Sequence, residues 1–221
     1  MKQKIIGSLI GCALALLAPQ IVQAQGTMNV LSNLDQTSAG SLAVGSDSWL
    51  AFMFGTGTNS AGYTLNSIQL EMTDATGSPN GFTVMLYTGG NFPFDGSIGS
   101  SIATLDGSLN PAAGGLYTYT PDTSLTLSPG TDYFIVLTAG TTVANGAYDW
   151  SYASTSSYNP SGHWGVIGAA GSSNGSVWHS VLGEFPQFDI NATPVPEPGV
   201  LSLSGLGGLA FLCHRRKSKQ Q

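Results

Sequence analysis

The sequence predicts an all-β fold, a sandwich of two sheets in the jelly-roll manner. Two observations carry this. Apolar and polar residues alternate in short runs between Trp49 and Ile190, and no stretch sustains a helical period over three turns. Turn-forming residues, chiefly Gly, Ser, Thr, Asn and Pro, separate those runs at short intervals.

Taken in order, the chain begins with a stretch that is not part of the fold. Lys2 and Lys4 precede an apolar run from Ile5 to Ala18, Pro19 breaks it, and Val22-Gln23-Ala24 offers a cleavage site. This is the pattern of a secretory signal peptide over residues 1–24, cut by signal peptidase between Ala24 and Gln25. A competing reading is the lipobox-like Leu9-Ile10-Gly11-Cys12, but the apolar run continues well past Cys12.

The body, residues 25–192, is long enough to bury one sizeable core. Trp49–Phe54 is apolar throughout, as a strand covered on both faces would be. Ser67–Thr73 sets Ile68, Leu70 and Met72 against Gln69, Glu71 and Thr73, one face inward and one outward. Phe82–Tyr87, Ile102–Leu105, Leu116–Thr120 and Leu125–Leu127 follow. Ser128-Pro129-Gly130-Thr131 makes a turn, with Pro and Gly in its central positions, before Asp132–Thr138. Tyr148–Tyr152, Trp164–Ile167 and Gln187–Ile190 complete the strands.

All six Lys and Arg lie at the two ends of the chain, and all twelve Asp and Glu lie between Asp35 and Glu197. A body without cations cannot neutralise phosphates, so nucleic acid is excluded as a partner. The two cysteines, Cys12 and Cys213, are likewise terminal, so no disulfide or thiolate site holds the body. The acids lack Asp-x-Asp spacing, so no metal site is assigned. A site assembled from separate loops stays open, because loop oxygens on such an acidic domain suit hard cations such as calcium.

Catalytic candidates are few. His163 and His179 are the histidines of the body, and with Ser161, Ser180 or Asp149 a hydrolase triad can be drawn on paper. No nucleophile-elbow motif surrounds any of these serines, so the expectation is a protein that is not an enzyme. An exported hydrolase stands third among the readings. The second is a carbohydrate-binding module. Tyr148, Trp150, Tyr152, Tyr158, Trp164 and Trp178 cluster among Ser, Asn and Gly, and exposed rings stack on sugars. Trp150, Tyr158, Trp164 and Trp178 are thus candidate glycan contacts, with exopolysaccharide as the partner. Against this, Tyr148, Trp150 and Tyr152 alternate onto one strand face, which favours a core role.

Residues 193–221 have a different character. Pro194, Pro196 and Pro198 recur at every second position, which predicts an extended spacer clear of the domain. Gly199–Cys213 is uncharged but only about 22 Å long as a helix, short of a hydrocarbon core of about 30 Å. Arg215, Arg216, Lys217 and Lys219 follow as a cytoplasmic stop. Such a weak span suits temporary retention rather than permanent anchoring.

The order Pro196-Glu197-Pro198, apolar run, basic tail resembles the PEP-CTERM sorting signal of Gram-negative bacteria. The resemblance implies export, a transient stop at the inner membrane by a single span, and processing near the motif by an exosortase-type membrane protease. It places the mature protein at the cell surface or outside the cell. Separately, Tyr63–Leu70, Phe82–Tyr87, Leu127–Tyr133 and Tyr148-Asp149-Trp150 resemble the choice-of-anchor domains, variant R being nearest. That likeness implies an extracellular β domain and assigns no catalytic residue.

Overall fold

A computed structural model describes residues 26–90, 97–181 and 183–197. Fifteen strands account for most of them: β1 (Met28–Ser32), β2 (Ser38–Val44), β3 (Trp49–Gly55), β4 (Tyr63–Gly77), β5 (Thr83–Thr88), β6 (Ser101–Asp106), β7 (Gly115–Pro121), β8 (Leu125–Leu127), β9 (Asp132–Thr138), β10 (Gly146–Ala153), β11 (Asn159–Pro160), β12 (Gly165–Ser172), β13 (His179–Val181), β14 (Phe185–Pro186) and β15 (Phe188–Pro194). Among the described residues the helical content is one 3₁₀ turn, Val143–Asn145. Every strand pair is antiparallel.

The strands form one large curled sheet whose two halves face each other. One half runs β11-β1-β15-β4-β7, and the other runs β6-β5-β9-β3-β12-β13. They join at a corner where Leu105 and Asp106 of β6 pair with Pro121 and Thr120 of β7. The interior is filled from both halves. Phe52 of β3 meets Phe188 of β15 at 4.4 Å between ring centroids and stands edge-on to Trp150 of β10 at 6.5 Å.

β4 is the hub. Its alternation is as the sequence predicts, with Ile68, Leu70 and Met72 buried. Along one side it pairs with β15 and then β10, and along the other with β8 and then β7. It is far longer than the alternating core Ser67–Thr73, because each end finds its own partners. β3 is covered on both faces. Phe52 and Phe54 enter the main core, while Ala51 and Met53 join Phe134, Val136, Ala170 and Trp178 in a second cluster behind the sheet.

Two strands near the start, β1 and β2, carry little pattern of their own. β2 reads Ser-Ala-Gly-Ser-Leu-Ala-Val and is placed by its register against β10. Gly40 lies opposite Tyr152, whose ring covers it. A Cβ there would stand 2.8 Å from the phenol oxygen.

The body extends beyond Ala192. Thr193 and Pro194 belong to β15, opposite Thr64 and Tyr63 of β4. The expected free spacer therefore starts inside the sheet. Successive strand N–H groups point to opposite sides. With the Val195 N–H on the Gly62 carbonyl, the Pro194 nitrogen faces away from β4, on the side where β1 pairing has ended at Met28. The proline interrupts no ladder bond there.

Candidate functional site

The site that sequence marks most specifically is the Pro-Glu-Pro terminus, and the structure shows what holds it. Thr56 is buried. Its hydroxyl donates to the Ser128 carbonyl at 2.6 Å and accepts from the Thr131 N–H at 2.9 Å. This ties the loop after β3 to the Ser-Pro-Gly-Thr turn, where Gly130 has φ +56°. Gly57 then passes so close to the Gly162 carbonyl and the Tyr63 hydroxyl that a Cβ would lie 2.2 and 2.3 Å from them. Asn59 and Gly62 close a turn, with the Gly62 N–H on the Asn59 carbonyl at 2.8 Å.

That turn grips the terminus. The Asn59 side-chain amide donates to the carbonyls of Gly62 (2.6 Å) and Val195 (2.9 Å). The Val195 N–H donates to the Gly62 carbonyl at 3.0 Å. The Ser60 N–H donates to Glu197 Oε1 at 3.1 Å. Pro196 and Glu197 are solvent-exposed, yet the backbone before them and the carboxylate between the prolines are both engaged. Pro198, the basic residues Arg215, Arg216, Lys217 and Lys219, and the Ala24–Gln25 cleavage site lie outside the described residues.

The aromatic cluster is not an exposed platform. Trp150, Trp164 and Trp178 are 0, 3 and 2 % exposed. Trp164 stacks on Phe54 and meets Tyr63 edge-on. Trp178 covers the back of β3. These three cannot offer a face to a sugar, because the same rings close the two cores. Tyr158 alone of the four is half-buried. It lines, with Phe52, Phe185, Leu31, Ser156 and Glu184, a groove of about 590 Å³ beside β12. Burial raises its phenol well above the ordinary tyrosine range.

Of the hydrolase candidates, both histidines are exposed and the carboxylate is engaged by other hydroxyls. His163 lies in an exposed turn at φ +68° and His179 is exposed at the start of β13. The Asp149 carboxylate is held by the hydroxyls of Ser41 (3.2 Å) and Thr76 (2.9 Å), on β2 and β4. No group of three or more His, Cys, Asp or Glu that would hold a metal ion occurs among the described residues.

Without cations, the carboxylates of the body serve as acceptors for neutral donors. Asp47 takes the Val143 N–H and Asp74 the Gly114 N–H, both at 2.8 Å. Asp189 is the extreme case. It is 3 % exposed and is bonded by the side-chain amides of Asn29 and Asn191. Burial raises its pKa, against the lowering by Asn191, Ser32 and Asn29. The sign follows. A carboxyl whose folded pKa exceeds its unfolded value of about 3.9 binds the proton more tightly when folded, so its contribution falls as pH rises through that window. Asp189→Asn should therefore remove a loss of stability that wild type shows on going from about pH 4 to neutrality. The stability difference between variant and wild type, followed by urea denaturation against pH, should grow in the variant's favour up to the folded pKa and then level off. A variant weaker than wild type at pH 7 would show that the charge itself is needed.

Comparison with known proteins agrees with the terminus. Residues 194–217 match the PEP-CTERM protein-sorting motif. The motif thus begins at the last residue of β15, and it marks the chain for export and exosortase-type processing. No curated protein matches the chain. In fold, the chain is similar to a solved structure of the cysteine protease and lectin-like domains of Cwp84, a surface layer associated protein of Clostridium difficile. That match has 13 % identity and a TM-score of 0.49, and covers 76 % of this chain and 36 % of the other. The chain therefore spans little more than a third of that structure.

Proposed function

We propose that this is an exported, non-enzymatic protein of the cell surface or extracellular matrix, whose β domain is the cargo of its C-terminal sorting signal. One observation carries the reading: the matched motif follows directly on a domain whose two histidines are exposed and whose buried Asp149 is bonded by Ser41 and Thr76. Signal peptidase acts first, then an exosortase-type protease. The membrane stop is supplied by Arg215, Arg216, Lys217 and Lys219 behind a short apolar run.

The test is Glu197→Ala in a host that has an exosortase. Glu197 is the sole charge between Asp189 and His214, so it marks one position in a neutral stretch beside the membrane. Export and folding should be unchanged, while the uncut form accumulates in the membrane fraction, at least tenfold above wild type by intact mass and immunoblot. Processing equal to wild type would reduce the stretch to a weak anchor.

A second reading is favoured by the groove beside β12. With three tryptophans inside the cores, any glycan contact falls to Tyr158 and its neighbours Phe185 and Glu184. Binding on a neutral-glycan array that Tyr158→Ala abolishes, with the fold intact, would promote it.

A further inference from the structure

We infer that the β domain latches its own sorting motif, so that the processing protease must first pull Val195–Glu197 off the Asn59–Gly62 turn. This rests on the sorting reading above and concerns how that site is regulated.

A protease cleft binds its substrate as an extended strand, with backbone groups and side chains free to pair with the enzyme. Here those groups are already in use. Both the N–H and the carbonyl of Val195 are bonded to the turn, and the Glu197 carboxylate rests on the Ser60 N–H. The turn is not a passive neighbour. Thr56 fixes its root to the Ser128–Thr131 turn, and the Asn59 N–H is held by the Tyr63 hydroxyl at 3.1 Å. Tyr63 is itself buried against Trp164. The grip on the motif is thus built on core side chains. An enzyme that reads the Glu197 charge must exchange a preformed bond for its own, and an enzyme that needs the Val195 backbone must break the last rung of the sheet. Cutting is slowed by whatever fraction of time the latch is closed.

The turn allows a clean test. Ser60 occupies its second position, where proline fits both common turn types, so Ser60→Pro removes the N–H donor and keeps the turn. Asn59→Ala removes both side-chain bonds from the other side. Neither change touches the Pro-Glu-Pro residues that the protease reads. In the full-length chain, expressed beside an exosortase and followed by pulse-chase, each variant should lose its uncut form about three- to tenfold faster than wild type. The melting temperature of the domain is measured in parallel. If Ser60→Pro melts like wild type and is cut at the wild-type rate or more slowly, the latch is overturned, while the sorting reading stands provided Glu197→Ala still blocks processing. If wild type and all variants stay uncut, the sorting reading fails and the latch with it. If Ser60→Pro melts lower, Asn59→Ala decides by the same criterion. Should both melt lower, hydrogen exchange at Val195 in the uncut wild-type chain decides. Protection there supports the latch, and exchange at the free-peptide rate overturns it.

Discussion

Trp150→Ala is expected to cost the domain about 3–5 kcal/mol, read as a shift in the urea midpoint and a weakened near-ultraviolet circular dichroism signal. Trp150 is fully buried on β10, edge-on to Phe52, and its indole N–H donates to the Gln187 carbonyl at 2.9 Å. Alanine deletes the largest fully buried side chain of the core and one end of a polar junction. Trp150→Phe separates the two parts. It keeps an aromatic body, and the Gln187 carbonyl still receives the Glu71 N–H at 3.2 Å. That variant should cost about 1–3 kcal/mol. A loss under about 1 kcal/mol for alanine would mean that the ring is not between the sheets, and the exposed-platform reading would return.

The second large effect is expected at Gln187, on the bend between β14 and β15. It is 2 % exposed and every polar group on it is used. Its side-chain oxygen accepts from the Ser151 hydroxyl at 2.6 Å, its amide donates to the Gln36 carbonyl at 2.7 Å, and its N–H donates to the Ser151 carbonyl at 2.8 Å. The residue sits in the wedge where β15 hands the edge of β4 over to β10. Gln187→Leu keeps the volume but leaves the half-buried Gln36 carbonyl without its donor and weakens the hold on the buried Ser151, at about 1–3 kcal/mol. Gln187→Glu keeps an acceptor for Ser151 and turns the donor toward Gln36 into a second acceptor. A buried carboxyl with no cation in reach has a raised pKa, so this variant should be weak at neutral pH and recover on acidification. Equal stability of Gln187→Leu and wild type would show that the junction is a consequence of the fold and not a support for it.

These positions also show how far the sequence could be read. β4 was legible because its side chains repeat with the strand period and the period reports which face is covered, β3 because it is apolar throughout, and β9 because the Ser-Pro-Gly-Thr turn marks where it starts. Tyr148 and Trp150 were legible as core residues for the same reason. Asn33 and Gln187 were not. Asn33 is fully buried, accepting from the Phe188 N–H at 2.9 Å and donating to the Pro186 carbonyl at 3.0 Å. A single polar residue in a bend has no period, and its partners lie at the other end of the chain. Trp178 escaped in a different way. It sits in a loop of Ser, Asn and Gly, and only the bare back of β3 tells that something must cover it. At the terminus, the composition of Thr193–Pro198 predicted an extended backbone, and β15 is extended as far as Pro194, but proline spacing says nothing about the side of the strand its nitrogen faces. That side decided whether Thr193 and Pro194 were spacer or sheet.

The placing of β15 has a consequence for the order of events during export. It is the last of the described strands, yet it lies between β1, the first of them, and the hub β4. Until Phe188–Pro194 arrives, β1 has no partner beyond the two-residue β11, and one long edge of β4 stands open. The domain therefore cannot close progressively as it emerges. Its decisive pairing has high sequence separation, the kind that makes folding slow and leaves the nascent chain exposed in the meantime. The sorting motif begins at Pro194, so on the reading proposed above a halt at the membrane begins just as the last described strand becomes available to pair.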